Sequence, residues 1–143
     1  MAAVKRKAKP RARAKARPRA KARPRVRAKA KPYKLSAADL RPLAEGHGAC
    51  IASDKITVDG SPVRFMYREA GVHPADSGWR FLSGLESEPY IQDAANHAFY
   101  DCNTIANYDH TIVPYLEAPI GSVFEKPPGA AEFAPVTDWS PRG

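Results

Sequence analysis

The residues best suited to catalysis or metal binding in this chain are two cysteines and four histidines. They are Cys50, Cys102, His47, His73, His97 and His110. No two histidines are four residues apart, and no histidine–cysteine group has the spacing of a zinc site. Cys102 with His97 or His110 would supply a nucleophile and a base, but Cys102 lies in a strand-like run, which favours core packing. We therefore predict a non-enzymatic chain with no catalytic residue, cofactor or metal. Two reduced thiols are the simplest interpretation of the cysteines, and a disulfide or a shared metal site is the alternative.

Two polar clusters remain as candidates for a functional surface. In the first, Asp76, Trp79 and Arg80 follow a loop, which predicts either a capped turn into a core strand with an Asp76–Arg80 ion pair, or part of a binding face. The second cluster runs from residue 101 to residue 109 and is rich in Asn, Asp and Tyr. Its side chains either bond nearby backbone amides, as in Asx turns, or form an acidic, tyrosine-bearing face for a protein partner. The candidate partner contacts are Glu86, Glu88, Asp101, Tyr108 and Asp109.

Charge divides the chain into two regions. Residues 1–34 hold 16 of the 23 Lys and Arg residues and no Asp or Glu, whereas residues 35–143 hold all 15 acidic residues. The first region is a Lys/Arg/Ala/Pro tail with too little apolar surface to offset the entropy of ordering, so we predict that it is disordered. The excess of acid in the second region predicts a basic partner, because opposed charges steer association.

The tail resembles the Lys/Ala/Pro-rich extensions of linker-histone-like proteins, which implies sequence-independent binding to phosphate backbones. Cations spaced about two residues apart displace counterions from nucleic acid, so such binding weakens with salt. The candidate polyanion contacts are Lys5, Arg6, Lys7, Arg11, Arg13, Lys15, Arg17, Arg19, Lys21, Arg23, Arg25, Arg27, Lys29 and Lys31. Three alternatives stay open: the tail folds onto the acidic domain, lies on an anionic membrane, or has no specific role because translation starts further along the chain.

The elements that would position these residues are short. Apolar or alternating runs predict strands near 49–53, 63–67, 79–82, 99–102 and 120–124. Ser36 with Asp39 predicts a capped turn, and Asp109 caps a short helix around 112–116. The segment 54–60 predicts a hairpin turn, since it lacks the alternating acidic ligands of an ion loop.

These elements predict an α+β fold, with a disordered basic tail preceding a single small domain over residues 35–126. The domain would hold a mainly antiparallel sheet of four or five strands with short helices. Residues 127–143 are rich in proline and without periodicity, and they predict a mobile C-terminus.

Five sequence blocks resemble one bacterial family. They are SDKITVDG, FMYRE, DSGWRFLSG, YDCNTIANYDHTIVPYL and PIGSVFE, in this order. Together they are similar to the small domain of unknown function that is grouped with the immunity proteins of polymorphic toxin systems (immunity protein thirty-three). The resemblance covers about residues 49–125. It implies a single-domain binder that blocks a cognate toxin, with no catalytic residues to carry over, and the basic tail lies outside it.

The leading hypothesis is therefore an immunity-like protein that neutralises a protein toxin through an acidic face, with a tail that binds nucleic acid. The alternative is a nucleoid-associated protein that binds DNA or RNA mainly through the tail. The longest apolar runs are far too short to span a bilayer or to form a secretory signal. We expect a cytoplasmic or nucleoid location, and neither a membrane nor a small-molecule partner.

Overall fold

The computed structural model describes residues 31–141. The predictions made for the tail from residue 1 to residue 30 lie outside this part of the chain. The strands are β1 (Ala49–Ser53), β2 (Phe65–Arg68), β3 (Asp76–Leu82), β4 (His97–Asp101), β5 (Val123–Glu125) and β6 (Ala134–Pro135). The α-helices are α1 (Asp54–Thr57), α2 (Glu88–Gln92) and α3 (Cys102–Tyr108), and short 3-10 helices cover Ala37–Asp39, Ala94–Asn96 and His110–Tyr115.

The six strands form one sheet in the order β4-β1-β3-β2-β5-β6. Four of the strand pairings are antiparallel, and β1 pairs with β3 in parallel. This confirms the predicted α+β class with a mainly antiparallel sheet, to which the structure adds the short strand β6.

The segment after β1 is a correction to the sequence analysis. Residues 54–60 do not join a hairpin, because β1 pairs with β4 and β3 but not with β2. The segment instead begins with helix α1, whose N-cap is Ser53: the hydroxyl oxygen of Ser53 accepts a hydrogen bond from the amide of Lys55 at 3.1 Å. A turn follows, in which Gly60 has a φ of 82°. The Asp-Gly signal marked that turn correctly, but a parallel β1–β3 pair requires a crossover connection.

One face of the sheet carries the main core. Alternate residues of β3, Trp79 and Phe81, point toward α3 and are fully buried with Ile105 and Ile112. The indole N–H of Trp79 donates to the carbonyl of Leu116 at 3.0 Å, which satisfies its polar group inside the core. Burying an apolar side chain of this kind contributes roughly 1.5–3 kcal/mol, and this face holds the larger of the two apolar clusters.

The opposite face carries a smaller cluster. Tyr67, Leu82 and Val123 are buried there, and Phe65 packs against them. The ring of Trp139 lies 4.8 Å from the ring of Phe65 and covers part of this face. Ile91 of α2 lines the same region together with Phe65 and Leu82, so a helix, loops and the C-terminal segment all contribute to this side of the sheet.

The C-terminal segment also differs from the prediction of a mobile terminus over residues 127–143. Phe133 is buried and packs edge-on against Tyr115. Strand β6 extends the sheet beside β5, and the amide of Val136 donates to the carbonyl of Val123 at 2.9 Å. The packed part of the chain therefore extends past residue 126. The reason is that apolar residues spaced three apart, at 133, 136 and 139, reach the sheet between the prolines.

The end of the basic tail is likewise packed on the domain. The ammonium group of Lys31 lies 2.7 Å from a carboxylate oxygen of Asp54 and 3.0 Å from the carbonyl of Ala95. The ring of Tyr33 packs edge-on against Tyr100. The predicted tail boundary at residue 34 is thus too late, and Lys31, one of the candidate polyanion contacts, is held by an acidic residue of the domain.

Candidate functional site

A fully buried arginine lies on the face of the sheet opposite the main core and binds two carboxylates there. The side chain of Arg80 is 0% exposed. Two of its guanidinium nitrogens donate to the two carboxylate oxygens of Asp76 at 3.0 and 2.9 Å, and a third donates to Glu69 at 2.7 Å. The predicted Asp76–Arg80 ion pair is confirmed, and the structure adds Glu69 as a second carboxylate. Burial raises the pKa of Asp76, but the hydrogen bonds from Arg80 and from backbone amides outweigh it, so the pKa lies below its usual value.

This ionic cluster ties the loop of residues 69–75 to the sheet. Besides Arg80, the carboxylate of Asp76 accepts hydrogen bonds from the amides of Val72 and Gly78, both at 2.9 Å. The amide of Glu69 donates to the carbonyl of Gly78 at 3.0 Å. Gly78 has a φ of 92°, and a Cβ at this position would lie 1.8 Å from the carbonyl oxygen of Glu69. Only glycine allows the loop to come this close to β3.

The fixed loop presents an apolar patch beside strand β4. Val72 is 48% exposed at the loop, and the ring of His73 lies 5.4 Å from the ring of Phe99. Phe99 belongs to β4 and is itself 39% exposed. Asp101 is exposed at the end of the same strand. We call Val72, His73, Phe99 and Asp101 the β4 patch. It combines exposed apolar side chains with an exposed carboxylate, on a loop and strand held by the Arg80 cluster.

A groove of about 410 Å³ lies at the other end of the same face. Its apolar walls come from Phe65, Leu82, Leu85 and Trp139. Leu85 is 69% exposed, and the loop that carries it is closed by Glu86. A carboxylate oxygen of Glu86 accepts hydrogen bonds from the amide and the hydroxyl of Ser83 at 2.8 and 2.9 Å. The groove is therefore preformed but shallow, with one strongly exposed side chain at its rim.

The sequence model of the Immunity protein Imm33 domain family matches residues 50–137, which is more than half of the chain. The chain belongs to the Imm33 family of immunity proteins. The matched range begins at the second residue of β1 and ends just after β6, so it includes the sheet apart from Ala49, the β4 patch and most of the groove lining.

The Imm33 chain is also 29% identical over 103 residues to a UDP-N-acetylenolpyruvoylglucosamine reductase of Nitrobacter hamburgensis. The alignment covers 71% of this chain and 32% of that enzyme, so the Imm33 chain spans about a third of the length of this curated relative. No solved structure matches the chain.

Of the partner contacts predicted for the Imm33 domain, Asp109 requires a correction because it is only 8% exposed. Its carboxylate accepts hydrogen bonds from the amide of Val63 at 2.9 Å, the ammonium of Lys126 at 2.8 Å and the hydroxyl of Thr111 at 2.5 Å. Burial raises its pKa, but these hydrogen bonds outweigh it and hold the pKa below the usual value. Asp109 thus ties three segments of the domain together and is not available to a partner.

The other predicted contacts are separated by the fold. Glu86 closes its own loop, and the hydroxyl of Tyr108 accepts a hydrogen bond from the amide of Leu35 at 3.1 Å. Glu88 is exposed at the start of α2, and Asp101 is exposed at the end of β4. These residues do not form one continuous face, and Asp101 lies in the β4 patch. Val72 and Phe99 were not among the partner contacts predicted from the sequence. An aromatic residue at an exposed position of an alternating strand could have indicated Phe99.

The Asn side chains of the second polar cluster bond backbone amides far along the chain, whereas an Asx turn bonds a neighbouring amide. The side-chain oxygen of Asn103 accepts hydrogen bonds from the amides of Leu43 and Ala44, both at 2.7 Å. The side-chain oxygen of Asn107 accepts one from the amide of Arg41 at 2.9 Å. Asp101 makes the local contact that was predicted, accepting from the amide of Asn103 at 2.9 Å. The cluster therefore anchors residues 41–44 to α3.

The cysteines lie in the core, as predicted, but Cys102 begins α3 instead of lying in a strand. Cys50 and Cys102 are both free and 0% exposed, and burial raises the pKa of Cys50. The sulfur of Cys102 lies 3.6 Å from the hydroxyl of Ser77. Within residues 31–141 no group of three or more His, Cys, Asp or Glu side chains is placed to hold a metal ion. No helix among the described residues is long and apolar enough to cross a membrane.

Proposed function

We propose that this chain neutralises a cognate protein toxin by binding it, without a catalytic step. The observation that carries the proposal is the match of the Imm33 immunity domain over residues 50–137. The reductase relative does not carry its activity to this chain, because the aligned part is about a third of that enzyme.

Charge supports a basic toxin as the partner. Two of the domain's cations are paired with carboxylates inside the fold: Arg80 with Asp76 and Glu69, and Lys126 with Asp109. Many of the remaining carboxylates are exposed, namely those of Glu45, Asp59, Glu88, Asp93, Asp101, Glu117, Glu125, Glu132 and Asp138. An acidic surface of this kind accelerates association with a basic protein and makes the rate fall with salt.

The test is protection of cells against the toxin encoded beside this gene. Cells that express the toxin should grow when the full chain is present, and the purified chain should bind a catalytically inactive form of the toxin. A chain that begins at Lys31 should protect equally well, because it retains the contacts of Lys31 and Tyr33 with the domain. Failure of both chains to bind the toxin contradicts the proposal.

The basic tail supports a second function, which is binding to nucleic acid. Its 16 cations within residues 1–34 form a region without acidic residues. If about 10 phosphates are contacted, the logarithm of the binding constant should fall with the logarithm of salt concentration with a slope of about −9. The measurement is duplex DNA binding by the full chain and by the chain that begins at Lys31. Equal affinity of the two forms rules out the tail as the DNA-binding region and with it the nucleoid alternative.

A further inference from the structure

The two edges of the sheet differ in their capacity to accept another strand. At one edge lies β6, which has only two residues and ends in Pro135. Proline has no amide hydrogen, and short, proline-containing edge strands resist pairing with other chains. At the other edge lies β4, which has five residues and contains no proline. Among the described residues no strand follows β4 in the sheet.

The register of β4 shows which of its backbone groups point off this edge. Ile51 of β1 is opposite Phe99, and Cys50 is opposite Tyr100. One step beyond the strand, the amide of Cys102 donates to the carbonyl of Gly48 at 2.9 Å. Because opposed residues in an antiparallel ladder alternate between bonded and non-bonded pairs, Tyr100 is bonded to β1 and Phe99 is not. The N–H and C=O of Phe99 therefore point outward from the sheet.

The surroundings of this edge favour an extended basic segment. The exposed side chain of Phe99 and the neighbouring Val72 provide apolar surface. Two exposed carboxylates flank the strand: Asp101 lies at its end, and Asp93 precedes the 3-10 helix that leads into it. The ammonium of Lys31 lies 3.4 Å from the carbonyl of His97, so a lysine already occupies one end of the edge.

We propose that the toxin binds by adding an extended, basic segment to the β4 edge, where it exchanges backbone hydrogen bonds with Phe99. Main-chain bonds supply affinity in this mode, and side-chain pockets supply specificity. Here the β4 patch provides the apolar contact, and Asp101 pairs with a Lys or Arg of the segment. The inference rests on the proposed function, because it takes the cognate toxin as the occupant.

The decisive experiment is amide hydrogen exchange of the full chain, free and bound to the inactive toxin encoded beside the gene. The amide of Phe99 should exchange rapidly in the free chain and at least about tenfold more slowly in the complex. The amide of Tyr100 is the internal control, because its bond to β1 protects it in both states. A complex in which Phe99 still exchanges rapidly overturns the inference and leaves the proposed function standing.

Two further results also decide the matter. If the toxin forms no complex with the full chain, the proposed function fails and the inference fails with it. If Phe99 already exchanges slowly in the free chain, residues 1–30 or a second copy cover the edge, and the toxin is not its occupant.

Substitution separates the backbone from the side chain. Phe99→Pro removes the outward amide hydrogen at a position where an edge strand accepts proline, and it should weaken toxin binding about tenfold or more. Phe99→Ala retains the amide and removes the ring, so it should have the smaller effect. Thermal unfolding of both variants shows whether the fold is retained. A folded Phe99→Pro variant that binds as tightly as Phe99→Ala contradicts the strand-addition model.

Discussion

This domain contains two buried ionic clusters, and they join different parts of it. In the first, Arg80 is surrounded by Asp76 and Glu69 and ties the loop of residues 69–75 to β3. In the second, Asp109 joins Lys126 to Thr111 and to the amide of Val63. The first cluster is centred on a cation and lies under the β4 patch. The second is centred on a carboxylate and joins segments that line the main core.

We infer that the Asp109 cluster is purely structural, whereas the Arg80 cluster also supports the surface proposed to bind the toxin. A buried ion pair contributes little net stability relative to apolar packing, but the loss of one partner is costly because the other charge is left buried. The Asp109 cluster needs no further role than to join three segments. The Arg80 cluster also fixes an exposed loop, and we infer that it positions the surface proposed to bind the toxin.

The largest expected effect is at the first cluster. Arg80→Met should destabilise the domain by about 3–5 kcal/mol, because Asp76 and Glu69 would be left without their cation. Urea denaturation measures the change in the free energy of unfolding. Arg80→Lys keeps the charge but cannot reproduce the paired hydrogen bonds of the guanidinium group. Its free energy of unfolding should therefore lie between those of the Met variant and the native chain. A Met variant that is as stable as the native chain would show that the two carboxylates are neutral or hydrated in the fold.

A smaller loss is expected at the second cluster. Asp109→Asn keeps the shape of the side chain but removes its charge and part of its accepting capacity. Lys126 loses its counter-charge but can still donate to the amide oxygen of Asn, so the loss should be smaller than for Arg80→Met, about 1–3 kcal/mol by urea denaturation. Glu132→Gln, at an exposed carboxylate, is the matched control and should leave stability unchanged.

Arg80→Lys and Asp109→Asn also test whether the two clusters differ in function. Arg80→Lys should accelerate hydrogen exchange at Val72 and weaken toxin binding, because it loosens the loop beside β4. Asp109→Asn should leave exchange at Val72 and toxin affinity close to native while the chain stays folded. Equal losses of affinity in both variants would mean that the two clusters do not differ in function.

Acid should weaken both clusters in a defined direction. The pKa values of Asp76 and Asp109 are lowered in the fold. Their contribution is therefore present above the unfolded pKa of about 3.9 and is lost as pH falls through the folded values. The free energy of unfolding should therefore fall slightly between pH 7 and about pH 3.9 and more steeply below that pH. Urea denaturation across this pH range checks the direction, and the Asp109→Asn variant should lose less stability with acid than the native chain does.

Sequence patterns predicted the local features of this fold better than its long-range pairing. The apolar run at 49–53 forms β1, and the strand predicted near 79–82 lies within β3. The capping interaction of Ser36 with Asp39 is present, with the amide of Ser36 donating to Asp39 at 2.8 Å. These features depend on neighbours within a few residues, and such neighbours can be seen in a sequence.

The missed features depend on partners far along the chain. Nothing near Asp109 signals that Lys126 will reach its carboxylate, and nothing in the prolines after residue 126 signals that Phe133 will be buried. The parallel pairing of β1 with β3 was missed for the same reason, since an Asp-Gly pair predicts a turn but not which strands it connects. The candidate site was found in part: Asp101 was identified, whereas Phe99 gained its importance only from the position of β4 at the sheet edge.

The smallest expected effect is at the end of the tail. The Lys31–Asp54 ion pair is partly exposed, and pairs of this kind contribute about 0.2–1 kcal/mol. Lys31→Ala should therefore lower the free energy of unfolding by about 0.5 kcal/mol, less at high salt because the pair is screened. Lys29→Ala, two residues earlier in the tail, is the matched control for the loss of one positive charge. If both substitutions change stability equally, the general charge of the tail stabilises the acidic domain. If only Lys31→Ala does, the tail is attached at one defined point, next to the strand edge proposed to receive the toxin.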